Sequence, residues 1–466
     1  MKNRYRDLIE QTFYFPQEGY EVIDDCLHFY GVNLMEIIEQ YGTPLKVTYL
    51  PKIGTQIRKA KRMFNVAIAK TEYKGKYTYC YCTKSSHFSF IMEEVLKHDV
   101  HIETSSAFDL PIVRNLYQRG KIGKNHFILC NGFKRPQYID SICSFLNEGF
   151  TNMIPILDNK NELPLYEKKL KGKRKVKVGI RIAADEEPDF EFYTSRLGIR
   201  SDEIVDYYMK VLKKNKRFEL KMLHFFINTG IKHNVYYWSE LNKCINVYCE
   251  LKKVCPTLDS FDIGGGMPVR KSLGFEYDYE YMVEQIVRQI KSTCKQKGVQ
   301  EPNLFTEFGS FTVAESGAML YSIIDRKQQN DNEEWYMIDS SFITTLPDTW
   351  GIKQRFILLA LNHWDNDYTR VNLGGLTCDS DDFYNTESHV NQVFLPKRKA
   401  GEQPLYIGFF HTGAYQESLG GYGGIQHCLI PAPKHVIIDR DENGEVVTRL
   451  FAKEQSAKSM LKILGY

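Results

Sequence analysis

Lys84 ends the segment Tyr77-Thr78-Tyr79-Cys80-Tyr81-Cys82-Thr83-Lys84, an aromatic run that reads as a buried strand. A helical stretch, Phe88 to Leu96, follows at once. A lysine at the carboxyl end of a strand, just ahead of a helix, stands where an α/β barrel places its chemistry. In Leu258-Asp259-Ser260-Phe261-Asp262-Ile263-Gly264-Gly265-Gly266 a strand runs into three glycines. Such a backbone turns sharply and can aim its N–H groups at an anion, usually a phosphate. Leu304-Phe305-Thr306-Glu307-Phe308-Gly309-Ser310 then sets a carboxylate at the end of the next strand. Burial there demands a cationic or hydrogen-bonding partner.

The elements that must position these groups alternate between residues 75 and 310. Strands are expected near Tyr77–Cys82, Val100–Glu103, His126–Cys130, Met153–Leu157, Val176–Ile182, Met222–Ile227, Ser260–Ile263 and Leu304–Glu307. Between them lie amphipathic stretches such as Phe108–Arg119, Pro136–Asn147, Asp202–Lys213, Trp238–Val254 and Tyr279–Lys297. Eight such units in a row indicate a closed α/β barrel, a (β/α)8 TIM barrel, with an open doubly wound sheet as the alternative. After residue 310 short β-like segments separated by Gly, Pro, Asn and Asp turns predict a second, mostly β domain. Residues 1–44 are expected to join it, leaving 45–310 for the barrel and 311–466 for the β domain.

The remaining features narrow the class. The chain has 466 residues, and its net charge of +3 argues for no nucleic-acid or other polyanionic partner. The N-terminal run MKNRYRDLIEQTFYF lacks the apolar core of a signal peptide, and no run of apolar residues is long enough to span a membrane. Eleven cysteines without a CxxC pair predict reduced thiols in a cytoplasmic protein. Cys80 and Cys82 share a strand face and read as core thiols rather than metal ligands, so no metal is expected. The basic run Lys168–Lys175 reads as a solvated connector. In Met222-Leu223-His224-Phe225-Phe226-Ile227-Asn228-Thr229-Gly230, His224 reads as a satisfied core histidine.

A lysine amine, a phosphate cradle and a buried carboxylate on one barrel face fit pyridoxal 5'-phosphate. Lys84 would bond the cofactor, Gly264, Gly265 and Gly266 would hold its phosphate, and Glu307 would keep its pyridine nitrogen protonated.

These pieces belong to a wider likeness. Over roughly residues 40 to 440 the chain resembles the alanine-racemase-like, fold-type III group of pyridoxal phosphate decarboxylases, which act on ornithine, arginine or diaminopimelate. Tyr81-Cys82-Thr83-Lys84 stands for YAVK or YPIK, and Gly179-Ile180-Arg181-Ile182-Ala183 for the LRI segment. The glycine triplet stands for GGG, and Thr306-Glu307-Phe308-Gly309-Ser310 for EPGR or ESGR. Thr377-Cys378-Asp379-Ser380-Asp381 matches the CDS or CDG motif and Gly413-Ala414-Tyr415 matches GAY. The wordings Leu129-Cys130-Asn131-Gly132-Phe133-Lys134, Leu346-Pro347-Asp348-Thr349-Trp350 and Gly413-Ala414-Tyr415-Gln416-Glu417 look most like the biosynthetic arginine decarboxylases.

The resemblance implies decarboxylation of a basic amino acid, arginine to agmatine for polyamine biosynthesis. Lysine, ornithine and diaminopimelate are alternatives. It implies that Arg181 and Phe226 lie at the cofactor ring and that Thr229 and Tyr415 join the phosphate contacts. It implies a homodimer with shared sites, in which Cys378 comes from the other subunit and helps protonate the substrate carbon after carbon dioxide leaves. Asp379, Asp381 and Asp348 would read the distal cation of the substrate. The chain departs from the pattern at Phe226, where a ring-stacking histidine is usual, at Ser310, where an arginine is usual, and at Asn228-Thr229, in place of Gly-Ser. These departures motivate a second expectation, a catalytically silent homologue that regulates a true decarboxylase.

Overall fold

The computed structural model describes residues 16–185, 194–331, 333–384 and 392–466; the N-terminal run read above, residues 1–15, lies outside them. The chain divides into two compact units. One comprises residues 1–53, 269–276 and 313–466, the other 54–268 and 277–312.

The first unit opens with a three-stranded sheet of β1 (Tyr20–Ile23), β2 (Cys26–Phe29) and β3 (Val32–Asn33). Then comes β4 (Leu45–Tyr49), buried at every residue. In the second unit β5 (Tyr77–Cys82), β6 (His101–Thr104), β7 (Ile128–Cys130), β8 (Met153–Leu157), β9 (Val176–Arg181), β10 (Phe218–His224), β11 (Ser260–Asp262) and β12 (Asn303–Phe308) close into a parallel barrel. The eight strands follow one another in chain order, and β12 returns to pair with β5 through Leu304 to Phe308 against Tyr77 to Tyr81. Cys80, Leu129, Ile154, Ile156, Met222 and Phe305 form a buried cluster among these strands. Near-continuous apolar runs are what strands covered on both faces require.

The helices between the strands carry clear local signals. Asn234 caps the helix Val235–Val254 by accepting from Tyr237 N, and Asp278 caps Tyr279–Lys297 by accepting from Tyr281 N. Gly298, left-handed at φ +66°, ends the latter. The expected helix over Asp202–Lys213 is broken into a 3-10 turn at Ser201–Glu203, an α turn at Ile204–Tyr207 and a π turn at Tyr208–Leu212.

The first unit continues with β13 (Gly317–Asn330), β14 (Glu333–Ile338), β15 (Ile357–Ala360), β16 (Tyr368–Gly374), β17 (Gln392–Pro396), β18 (Tyr406–Phe410), β19 (Lys434–Arg440) and β20 (Val446–Ala452). Among the described residues these and β4 form a nine-stranded, mostly antiparallel sheet. β4 lies between β13 and β19 in that sheet. The barrel unit therefore begins at Gly54 rather than at residue 45, because Leu45–Tyr49 finds its hydrogen-bonding partners in the β-rich unit. No helix among the described residues is long and apolar enough to cross a membrane. All eleven cysteines are free thiols.

Candidate active site

The carboxyl ends of the barrel strands carry a dense set of ionisable groups. Lys84 lies in the 3-10 turn Thr83–Ser85 directly after β5. Its Nζ is 3.5 Å from Glu103 Oε2 on β6 and 3.5 Å from Ser105 Oγ. Ser105 Oγ in turn donates to Glu103 Oε1 at 2.9 Å. The lysine side chain is 45% exposed, whereas that of Glu103 is fully buried, so the amine is reachable while the acid beneath it is held dry.

Across the barrel end, His224 closes β10, Asp262 closes β11 and Glu307 lies on β12, all buried. Asn131, just after β7, donates through Nδ2 to His224 Nε2 at 3.1 Å and reaches the two Glu307 oxygens at 3.3 and 3.2 Å. His224 Nδ1 is 3.2 Å from Asp262 Oδ2 and 3.7 Å from Glu307 Oε1. That approach is close enough for an ion pair, yet neither His224 Nδ1 nor Asp262 Oδ2 makes an aligned hydrogen bond. His224 is thus a buried member of the acid cluster, satisfied at one ring nitrogen only.

Burial dominates the titration of these groups. It lowers His224 to about 4, so the ring is neutral at physiological pH. It raises Asp262 to about 7, against the pull of a hydrogen bond with Glu307. Glu307 is held well above the ordinary carboxyl range by burial and then by the charge of Asp262. Burial lowers the Arg181 guanidinium at the end of β9, with Glu307 drawing it back.

Asp262 has a second task, because Gly264 N donates to its Oδ1 at 2.8 Å. The same side chain thereby grips the glycine turn and faces His224. A raised folded pKa of about 7, against an ordinary 3.8, adds stability that is complete below about pH 4 and lost as the pH rises to about 7. Cofactor-free protein should therefore lose urea resistance relative to Asp262→Asn as the buffer is raised from about pH 4 to about pH 7. Parallel urea curves for the two proteins would contradict it.

The glycine turn admits no side chain. A Cβ on Gly265 would lie 2.4 Å from Glu307 O, and one on Gly266 would lie 2.7 Å from Gly230 Cα. The turn is tied on either side, since Glu307 N donates to Gly264 O at 2.8 Å and Ile231 N to Gly266 O at 2.9 Å. Gly265→Ala should cost about 1–3 kcal/mol by forcing backbone apart. It should also weaken cofactor phosphate binding, as read by a higher half-saturation of added pyridoxal phosphate.

These residues fit pyridoxal phosphate on grounds internal to the site. Three buried carboxyl groups, Glu103, Asp262 and Glu307, suit a cationic ring nitrogen better than solvent-free isolation. Thr229 Oγ1 and Arg181 Nε are buried without a hydrogen-bond partner, at loop and strand ends beside the turn and the acids. Phe226 is half-buried, its ring 3.3 Å from where a Gly264 Cβ would stand, and Ser310 opens the short helix Ser310–Val313.

The structure thus gathers Lys84, Arg181, Phe226, Thr229, Gly264, Gly265, Gly266 and Glu307 at one end of the barrel. Sequence reading passed over Glu103, Asn131 and Asp262. Each lies at or just past the carboxyl end of a barrel strand, as Lys84 does, and that position was the available signal.

The other expected residues belong to the β-rich unit. Tyr415 has φ +69° at the N-terminal edge of the helix Gln416–Gly420, a conformation rare outside glycine. Asp348 is buried, accepts from Gln416 Nε2 at 2.7 Å, and has its carboxyl raised by burial. Cys378 is exposed, with Sγ 3.5 Å from Cys428 Sγ. Asp379 Oδ1 accepts from Asp381 N at 2.9 Å. The residue that shapes this loop was not foreseen. Asp382 accepts from Thr377 N and Oγ1 at 3.0 and 2.7 Å through one oxygen, and from Phe342 N at 2.8 Å through the other.

An amine beside buried acids, with a turn of bare backbone at the same barrel end, suits a barrel enzyme that works through pyridoxal phosphate. The chain belongs to the pyridoxal-dependent decarboxylases: residues 55–314 match that family's pyridoxal binding domain. It is 23% identical to a biosynthetic arginine decarboxylase of a Geobacter species, over 84% of this chain and 80% of that one. It is 22% identical to arginine decarboxylase 1, chloroplastic, of Arabidopsis thaliana, over 91% and 76%. Among solved structures, the biosynthetic arginine decarboxylase of Campylobacter jejuni superposes with a TM-score of 0.80 at 21% identity, covering 97% of this chain and 89% of that one. Diaminopimelate decarboxylase of M. jannaschii gives 0.78 at 18% identity, covering 96% and 98%. The expected barrel with its mostly β companion is therefore the fold of this family.

Proposed function

We propose that this chain removes the α-carboxyl group of a basic amino acid, with arginine as the substrate and agmatine, a polyamine precursor, as the product. The observation that carries the chemistry is the buried cluster of Glu307, Asp262, His224 and Asn131 beside Lys84 and the glycine turn. The choice of arginine is supported by the arginine decarboxylases among the relatives; lysine, ornithine and diaminopimelate follow in that order of test.

When bound, pyridoxal phosphate supplies an electron sink for the carbanion left by departing carbon dioxide. Lys84 Nζ would hold the cofactor. Glu307 would keep a proton at the ring nitrogen, with Asn131 donating to it, the Asp262 carboxyl beside it and His224 neutral behind it. Gly264, Gly265, Gly266, Thr229 and Tyr415 would receive the phosphate, Arg181 would offset the buried acids, and Phe226 would offer a flat apolar face to the ring. Cys378 Sγ delivers a proton to the substrate carbon in a homodimer whose subunits share their sites. Asp379 and Asp381 receive the distal guanidinium. Asp348 acts through Gln416, which its carboxyl holds next to Tyr415. The setting is cytoplasmic, without a nucleic-acid or membrane partner.

The deciding experiment measures carbon dioxide release from a panel of basic amino acids with added cofactor. Release from arginine above the others supports the proposal; release from none of them overturns it. Phe226 and Ser310 favour one competing reading, a silent homologue that regulates an active decarboxylase. That reading requires no release and no cofactor absorbance from the purified chain.

A further inference from the structure

Cys378 is one corner of a second chemical cluster. Its Sγ lies 3.5 Å from Cys428 Sγ, although fifty positions separate the two residues. A ring nitrogen of His427 completes a set of three donor atoms that all lie within 4.8 Å of one another. Asp379 Oδ2 stands 3.8 Å from His427 Nε2, within ion-pair reach of the imidazole. The loops that bring these groups together are held in place. Asp382 ties down residues 377–382, and Cys428 and Leu429 are both left-handed, at φ +52° and +54°. Two consecutive non-glycine residues in that region store strain of the kind found at functional sites.

The chemistry of the donors selects the guest. Zinc–sulfur bonds of about 2.3 Å in a tetrahedral site put two thiolates roughly 3.7 Å apart, close to the spacing seen. Two thiols and an imidazole suit a borderline-soft divalent ion rather than calcium or magnesium. A bound dication deprotonates a coordinating thiol outright. Both cysteines and His427 are exposed in the single chain, where an ion from solvent can reach them.

We propose that Cys378, Cys428 and His427 form an inhibitory zinc site, with three protein ligands and a fourth position for water. Binding converts two thiols to thiolates, and their two protons pass to solvent as two sulfur–zinc bonds and one nitrogen–zinc bond form. The inhibitory part rests on the reading that Cys378 protonates the substrate carbon, because zinc ties up that thiol; the binding part does not.

The test dialyses the holoenzyme against a chelator and then against zinc chloride, and measures metal retained per chain. One zinc per chain is expected, with none retained by Cys428→Ala or His427→Ala. Asp379→Asn should weaken affinity by about 10–100-fold. Cobalt(II) on the Lys84→Ala chain, which lacks the covalent cofactor, should give a thiolate-to-cobalt charge-transfer band that disappears in the same two variants. Zinc should inhibit the native enzyme reversibly and leave Cys428→Ala active. Absence of retained zinc, equal retention by both variants, or a Cys378–Cys428 disulfide in place of metal overturns the site. If the chain releases no carbon dioxide from any amino acid, stoichiometry and the cobalt band still decide the site, and only the role of Cys378 in the reaction fails.

Discussion

Replacing Lys84 with alanine is expected to lower decarboxylation at least about 10³-fold and to remove the visible absorbance that the chain acquires with pyridoxal phosphate. Lys84 follows β5 directly, its Nζ stands 3.5 Å from both Glu103 and Ser105, and its side chain remains 45% exposed to an incoming aldehyde. Lys84→Arg is the informative control. A guanidinium preserves the charge that faces buried Glu103 but cannot make the covalent bond. Alanine and arginine variants that are equally inactive, with arginine the more stable to urea, would separate the chemical role from the electrostatic one. An alanine variant that retains both turnover and absorbance would remove the foundation of the proposed function.

The second large effect is expected at Glu307. Glu307→Gln keeps the shape and a carbonyl acceptor for Asn131 Nδ2 but removes the group that can hold a proton at the ring nitrogen. Turnover should fall by about 10²–10³-fold, the scale of removing one charge-stabilising partner from a dry site, while cofactor absorbance survives. The stability change should be small or favourable. Burial and Asp262 already hold Glu307 well above the ordinary carboxyl range, so a neutral amide removes a charge that this site disfavours. A variant of unaltered kcat would show that the cofactor ring is held by some other partner.

Most of the barrel was legible in the sequence because its signals are local. Tyr77–Cys82 and Met153–Leu157 are runs of strand-forming residues flanked by turns, and they appear as strands with the expected limits. Pro136–Asn147 and Tyr279–Lys297 carry a proline start, an aspartate cap or a glycine stop, and they too match. Leu45–Tyr49 was placed differently, since its five residues would suit a barrel strand equally well. Its allegiance is set by β13 and β19, which lie hundreds of residues further on. The π turn at Tyr208–Leu212 has no sequence mark either, because its helical period continues through it.

Within the site, Lys84, Glu307 and Gly264–Gly266 could be named from the sequence because each sits in a segment whose residue types have few other uses. The sequence by itself determined that Lys84, Glu307 and the glycine turn stand at strand ends of one barrel, since strand period and chain order fix which end they occupy. Only the tertiary structure decided what surrounds them. It turned His224 from a core residue into a neutral neighbour of Asp262 and Glu307, and it recruited Asn131 and Glu103. It also set Cys378 against Cys428 and His427. Contacts between groups far apart in the chain depend on which strands and loops become neighbours. Burial then sets the charge of each group, and neither is written in local spacing.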